Sequence, residues 1–213
     1  MHPRLSPRLF GLRLGLVGGS FSSSSPGGWP TWFSRLSRSS EPEPSVYSVR
    51  TEESGLRFIR ARGGQPRITS VLLEAVRAMP GNHGMVLVEL RPSPREWIVT
   101  SVSRPRVLES LLSIRDLLGQ GHIDLAVFSR RHGVEVFLDR FGTLEIRSGA
   151  WFEPRLRALF ESRGFQQTPR LSVLPRHEAP IEWIEEHEAR VRAVIDGNGF
   201  RPVPYRNRKA QSG

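Results

Sequence analysis

Three carboxylates in the stretch GHIDLAVFSRRHGVEVFLDRFGTLEIR, residues 121–147, have the types and spacing to do chemistry. Asp124 lies in one apolar run, and Glu135 and Glu145 lie in the next two. Acids presented side by side on neighbouring strands hold a divalent cation, which in turn activates water. Asp124 would be the first ligand and Glu135 or Glu145 the second. The same residues also have a purely structural use. Val134, Val136 and Leu138 alternate with Glu135 and Phe137, so one side of the hairpin is apolar and Glu135 stands across from Arg147 as an ion pair on the other.

The pattern resembles the metal-binding hairpin of restriction-endonuclease-like nucleases, over residues 121–147. That resemblance implies a Lys two positions after the second acid. Phe137 and Arg147 stand at those positions, and a guanidinium does not readily accept a proton. A nucleotidyltransferase would need a second carboxylate two positions after Asp124, where Ala126 stands. The six His residues are scattered and form no His-Glu-x-x-His, so no metal site is expected. No Gly-x-Ser-x-Gly elbow occurs. GGQPR at 63–67 lacks both the Walker Lys and the dinucleotide fingerprint, so no cofactor is expected. The chain leans towards a non-enzymatic role, and a degenerate nuclease of the restriction-endonuclease-like type, with Asp124, Glu135 and Glu145 as its carboxylates, stays as a further alternative.

Charge suggests a second chemistry. The formal net charge is +10, and only Lys209 among the 31 cationic residues is not Arg. The excess is concentrated at the ends. Arg4, Arg8, Arg13, Arg35 and Arg38 give residues 1–40 a charge of +5 with no acid, and Arg201, Arg206, Arg208 and Lys209 give 201–213 a charge of +4. Residues 51–200 carry 21 Arg against 19 acids. Phosphate contacts would therefore come from the ends and from the turn SRRHG, where Arg130, Arg131 and His132 project together. The nucleic-acid-binding set read from the sequence is Arg130, Arg131, Arg206, Arg208 and Lys209.

These residues must be positioned by a regular framework. Residues 1–44 are rich in Arg, Ser, Pro and Gly and read as a disordered basic arm, with Trp29, Trp32 and Phe33 as isolated aromatics. Residues 45–200 read as a single domain, and 201–213 as a basic tail. Two β-like runs followed by a helix occur three times. VYSVR and LRFIRA precede a helix with Ile68, Val71, Leu72, Ala75 and Met79 on one face. MVLVEL and EWIVTSV precede one with Val107, Leu108, Leu111, Ile114 and Leu118 inward, running to Gly119. VEVFLD and TLEIRS precede one with Leu156, Leu159 and Phe160 inward. HIDLAVF adds a strand before the third unit. RLSVL reads as a short strand, and a last long helix presents Ile184, Val191 and Ile195.

Pro66, Pro105 and Pro154 each open a helix, where the missing N–H costs little, and Arg67, Arg106 and Arg155 then point outward. The expected fold is α+β, a mostly antiparallel twisted sheet of about seven strands with three to four helices on one face. The element order from 66 to 163 resembles the roadblock and longin group of small dimerising scaffolds, and more loosely secretion chaperones.

Without a catalytic constellation, and with Trp97 and Trp151 reading as exposed, the sequence points to a protein-interaction or assembly module with a protein partner or self-association. Nucleic-acid or ribonucleoprotein association through the basic ends is the alternative. No apolar run is long enough to span a membrane, and Cys is absent, so disulfides and thiolate metal sites are excluded. The expected location is cytoplasmic, or the mitochondrial matrix if residues 1–40 serve as a transit peptide.

Overall fold

The three strand-strand-helix units form one sheet in which the strands of the third unit lie between those of the first and second. A computed structural model describes residues 44–89, 95–171, 182 and 184–203. The strands are β1 (Val46–Thr51), β2 (Arg57–Arg62), β3 (His83–Glu89), β4 (Arg95–Val102), β5 (Ile123–Ser129), β6 (Val134–Leu138), β7 (Leu144–Ser148), β8 (Gln166–Gln167) and β9 (Arg201–Pro202). The helices are α1 (Gln65–Ala78), α2 (Arg104–Ser113), α3 (Glu153–Ser162) and α4 (Glu185–Asn198). The order across the sheet is β8-β1-β2-β7-β6-β5-β3-β4-β9, with every pairing antiparallel except β1 with β8.

The α+β architecture agrees with the sequence reading, but there are nine described strands instead of about seven. The additions, β8 and β9, are two residues each and have no periodicity to read. They sit on the outer edges of β1 and β4, where short strands blunt edges that would otherwise pair with other chains. Since β9 spans Arg201–Pro202 and Val203 donates its N–H to the Glu96 carbonyl at 2.9 Å, the sheet extends past residue 200. The arm up to residue 43, most of RLSVL, and Arg206, Arg208 and Lys209 lie outside the described residues.

All four helices occupy one layer, in which α3 touches α1, α1 touches α2 and α2 touches α4. Their apolar stripes and the inward side chains of the sheet form one core. Pro66, Pro105 and Pro154 stand in the first turns of α1, α2 and α3, and Arg67, Arg106 and Arg155 are exposed. α3 and α4 end alike. Gly164 at φ +75° and Gly199 at φ +67° are followed by Phe165 and Phe200, whose N–H groups return to the carbonyls of Phe160 and Ile195. Both Phe rings are buried, completing the Schellman arrangement.

Two helix limits differ from the sequence reading. α2 stops at Ser113, and residues 114–119 are turns that still bury Ile114, Leu117 and Leu118. The turns lead into Gly119 and Gly121, both at positive φ. α4 starts at Glu185, so Ile184, read as part of its apolar face, lies just outside it. Ile184 is its N-cap and is exposed, and the buried stripe is Val191, Val194 and Ile195. Among the described residues no helix is long and apolar enough to cross a membrane.

Candidate functional site

Strand alternation places Glu135 and Phe137 on the face of the sheet opposite the helices, because Val134, Val136 and Leu138 are buried against the helix layer. The pairing register then gives two rows across that face. One runs Arg50, Phe58, Arg147, Glu135, Phe128, Gly84. The other runs Arg60, Glu145, Phe137, Ala126, Val86, Ile98, Arg201. The half nearer β1 is charged and the half nearer β4 is apolar.

The charged half is a paired network. Arg60 donates from Nε to Glu145 Oε1 at 2.7 Å. Arg147 reaches Glu52 at 3.4 Å and Glu135 at 3.9 Å. The guanidinium carbons of Arg50, Arg60 and Arg147 lie 4.3, 5.5 and 5.9 Å from the centre of the Phe58 ring, which they cover. The cross-strand pair of Glu135 with Arg147 follows the sequence reading, and Phe137 pairs with Glu145 in the same register. The structure also brings Glu135 and Glu145 close enough to repel. Burial pushes the Glu135 carboxyl above its ordinary value, Arg147 pulls it back and Glu145 pushes it up again. A raised carboxyl stabilises the fold below its unfolded pKa, and this contribution is lost as pH rises through the folded one. Glu135→Gln should accordingly leave stability at pH 7 unchanged or raise it by about 0.5 kcal/mol in a urea melt.

Asp124 stands apart from both glutamates. Its Oδ1 accepts from the backbone N–H of Arg140 at 2.7 Å and from Arg140 Nε at 3.2 Å, and its Oδ2 accepts from the guanidinium at 2.9 Å. Both oxygens are therefore committed to the β6–β7 turn. Glu135 is opposite Phe128, four residues along β5 from Asp124, which is roughly 13 Å at the strand rise. Among the described residues, no three side chains of metal-ligating type form a group that would hold an ion. The turn itself is built on Asp139. Its Oδ1 accepts from the N–H of Phe141 and Thr143 at 2.9 and 2.7 Å, and Gly142 adopts φ +77°.

Comparison of the chain with protein-family models, curated proteins and solved structures finds no match.

The apolar half centres on Phe128 and Phe137, both half-buried. The Phe128 ring lies over Gly84, where an added Cβ would sit 2.1 Å from its Cζ. A side chain at position 84 would displace the ring. Arg130 stacks on the outer side of the same ring at 5.5 Å. Arg130 and Arg131 are exposed, but His132 does not project with them. It turns back to place Nδ1 3.1 Å from Ser129 Oγ. Trp151 is 57% exposed, as the sequence suggested. Trp97 is not. It donates its indole N–H to Glu89 at 2.9 Å, and Arg192 of α4 lies 5.2 Å above its ring. The sequence reading passed over Phe58 and Gly84, because their importance comes from register with strands distant in the chain.

Proposed function

We propose that the chain is a non-enzymatic protein-interaction or assembly module whose docking surface is the face of the sheet that carries no helix among the described residues. The supporting observation is the row Phe137, Ala126, Val86 and Ile98, in which Phe137 and Ile98 are half-buried over the buried Ala126 and Val86; it continues into the half-buried Phe128 over Gly84 and is bordered by Arg60, Arg147, Arg130 and Arg201. An apolar, aromatic centre with an arginine border is the composition of interface centres and their hot spots. A photo-crosslinking amino acid at position 137 of the full chain should capture a partner protein or a second copy, and Ile98→Glu should abolish the capture. The same probe at Leu112, exposed on α2, should capture neither. Equal capture from both positions, or persistence in Ile98→Glu, rejects the assignment. Phe137→Glu should also fold normally, within about 1 kcal/mol of the parent, since the residue is half-buried.

The exposed Arg130 and Arg131 favour nucleic-acid association as a second reading. Neither has a carboxylate partner among the described residues. Such binding would be salt-sensitive and lost when residues 1–43 and 204–213 are deleted, a truncation that keeps β9. Affinity for single-stranded nucleic acid that is unchanged both after truncation and in the double variant Arg130→Ala, Arg131→Ala would reject it.

A further inference from the structure

His83, the first residue of β3, is 1% exposed, and neither of its ring nitrogens has a hydrogen-bond partner among the described residues. A neutral imidazole carries one donor and one acceptor, so both are left unmet in a buried position. The cross-strand partner of His83 is Val102, which immediately precedes Ser103, the N-cap of α2. The ring is therefore held beside the first turn of that helix. Arg104, the first residue of α2, donates to the Arg77 carbonyl near the end of α1 at 2.9 Å.

The connection from α1 to β3 is held from the β5–β6 side. Ser129 donates its hydroxyl to the Pro80 carbonyl at 2.9 Å and meets His132 Nδ1 at 3.1 Å. Gly81, at φ +77°, passes so close to the His132 ring that an added Cβ would lie 3.1 Å from Cε1. The register of β3 with β4 shifts between His83 and Met85, and on β4 Ser101 adopts φ +62°, a left-handed backbone that serine rarely takes. This end of the ladder is held by the single pair His83–Val102 beyond the irregularity.

We propose that His83 is an acid-released latch: when its ring takes a proton it leaves its buried position, and the end of the sheet formed by Pro80–His83 and Ser101–Ser103 opens. The charged and titratable groups acting on the ring are Arg104 from α2 and His132 from the β5–β6 turn, and both oppose a second positive charge. The Asn82 backbone acts the other way and favours the proton. Burial first, then Arg104, holds His83 below its ordinary value of 6.5. The closed form is thus fully stable above that pH. Below it the open form binds one more proton than the closed form, so the opening equilibrium rises about tenfold per pH unit until the closed form also protonates. Opening would bare Val102 and Val107, both buried in the closed form. The latch does not depend on the docking reading, since it lies at the end of the sheet.

Hydrogen exchange of the full chain at pH 7.5 and 5.5, corrected for intrinsic rates, tests the latch. Segments 79–86 and 99–108 should lose about tenfold in protection at the lower pH, while β6 and β7 keep theirs. His83→Phe should remove the difference. Equal wild-type protection at both values, or the same loss in His83→Phe, overturns the proposal. Should His83→Phe fail to fold, the ring titration of His83 in the wild-type chain, followed by NMR, decides. A midpoint below 6.5 supports the latch, and one at or above 6.5 overturns it.

Discussion

Asp124→Ala should cost about 3 kcal/mol of folding stability, measured by urea or thermal unfolding. The side chain of Asp124 is 8% exposed and that of Arg140 is 25% exposed, so water can replace little of what the carboxylate provides. Three hydrogen-bond donors, the Arg140 backbone N–H, its Nε and its terminal nitrogen, lose their acceptor together. The cost is mainly that of a guanidinium and a backbone N–H left without a partner beside β5. Asp124→Ala combined with Arg140→Met should recover part of the loss, because the unpaired charge is removed as well. Asp124→Asn, which keeps an acceptor oxygen for the backbone N–H, should fall between the two. A loss below about 1 kcal/mol in Asp124→Ala would overturn the tethering role and return the residue to consideration as a ligand. The contrast with Glu135→Gln, expected to be neutral or slightly stabilising, separates two acids that looked equivalent in the sequence.

That difference shows where sequence reasoning reaches its limit. The β6–β7 hairpin was legible residue by residue because strand alternation has a period of two, and Gly142 fixes a three-residue loop that pairs Asp139 with Thr143. The Glu135–Arg147 pair followed from the same register. Asp124 and Arg140 lie 16 residues apart, on β5 and on a turn, and no local pattern says that the turn folds back onto the first strand of the group. The helix starts were legible through Pro66, Pro105 and Pro154, and the ends of α3 and α4 through Gly164 and Gly199. The end of α2 was not, because the apolar spacing of Ile114 and Leu118 continues past Ser113 while the backbone turns. His83 is a lone histidine next to a glycine in the sequence. Only the packing of α2 over β3 makes it an unpaired buried ring.

The sheet order explains why the charged and apolar halves share one face. β2 and β3 are separated by β7, β6 and β5, and four antiparallel steps make them parallel, so α1 crosses above the three intervening strands and contacts β6. Each of the first three helices thus joins strands that are not neighbours, and each stays on the same side. The face that carries no helix among the described residues combines residues from eight strands and all three units, among them Phe58 from the first, Val86 from the second and Phe137 from the third. A docking surface made this way depends on the whole sheet. Changes that loosen the sheet at its β1 edge should therefore be felt in its stability before they are felt in the proposed docking.

The largest such change is expected at Phe160. Its ring stacks on Tyr47 at 4.9 Å with an interplanar angle of 13° and meets Phe165 edge-on at 5.4 Å. All three rings are buried. Phe160 thereby joins α3 to β1 and to the residue that begins the return into β8. Tyr47 adds a hydroxyl hydrogen bond to Glu161 at 3.2 Å, and its carbonyl accepts the Thr168 N–H at 2.7 Å, tying β8 to the same point. Phe160→Ala should cost about 4 kcal/mol, the combined effect of lost burial and a cavity between α3 and the sheet that backbone elements cannot close. Phe160→Leu retains most of the volume and should cost about 1.5 kcal/mol. The two are distinguished further by hydrogen exchange. In Phe160→Ala the amides of Gln166 and Thr168, which bond to Ser45 and Tyr47, should exchange at the rate of local opening, whereas those of β5 and β6 should still exchange with global unfolding. A loss under about 2 kcal/mol for Phe160→Ala, or unchanged protection of β8, would mean that α3 does not hold this edge of the sheet closed.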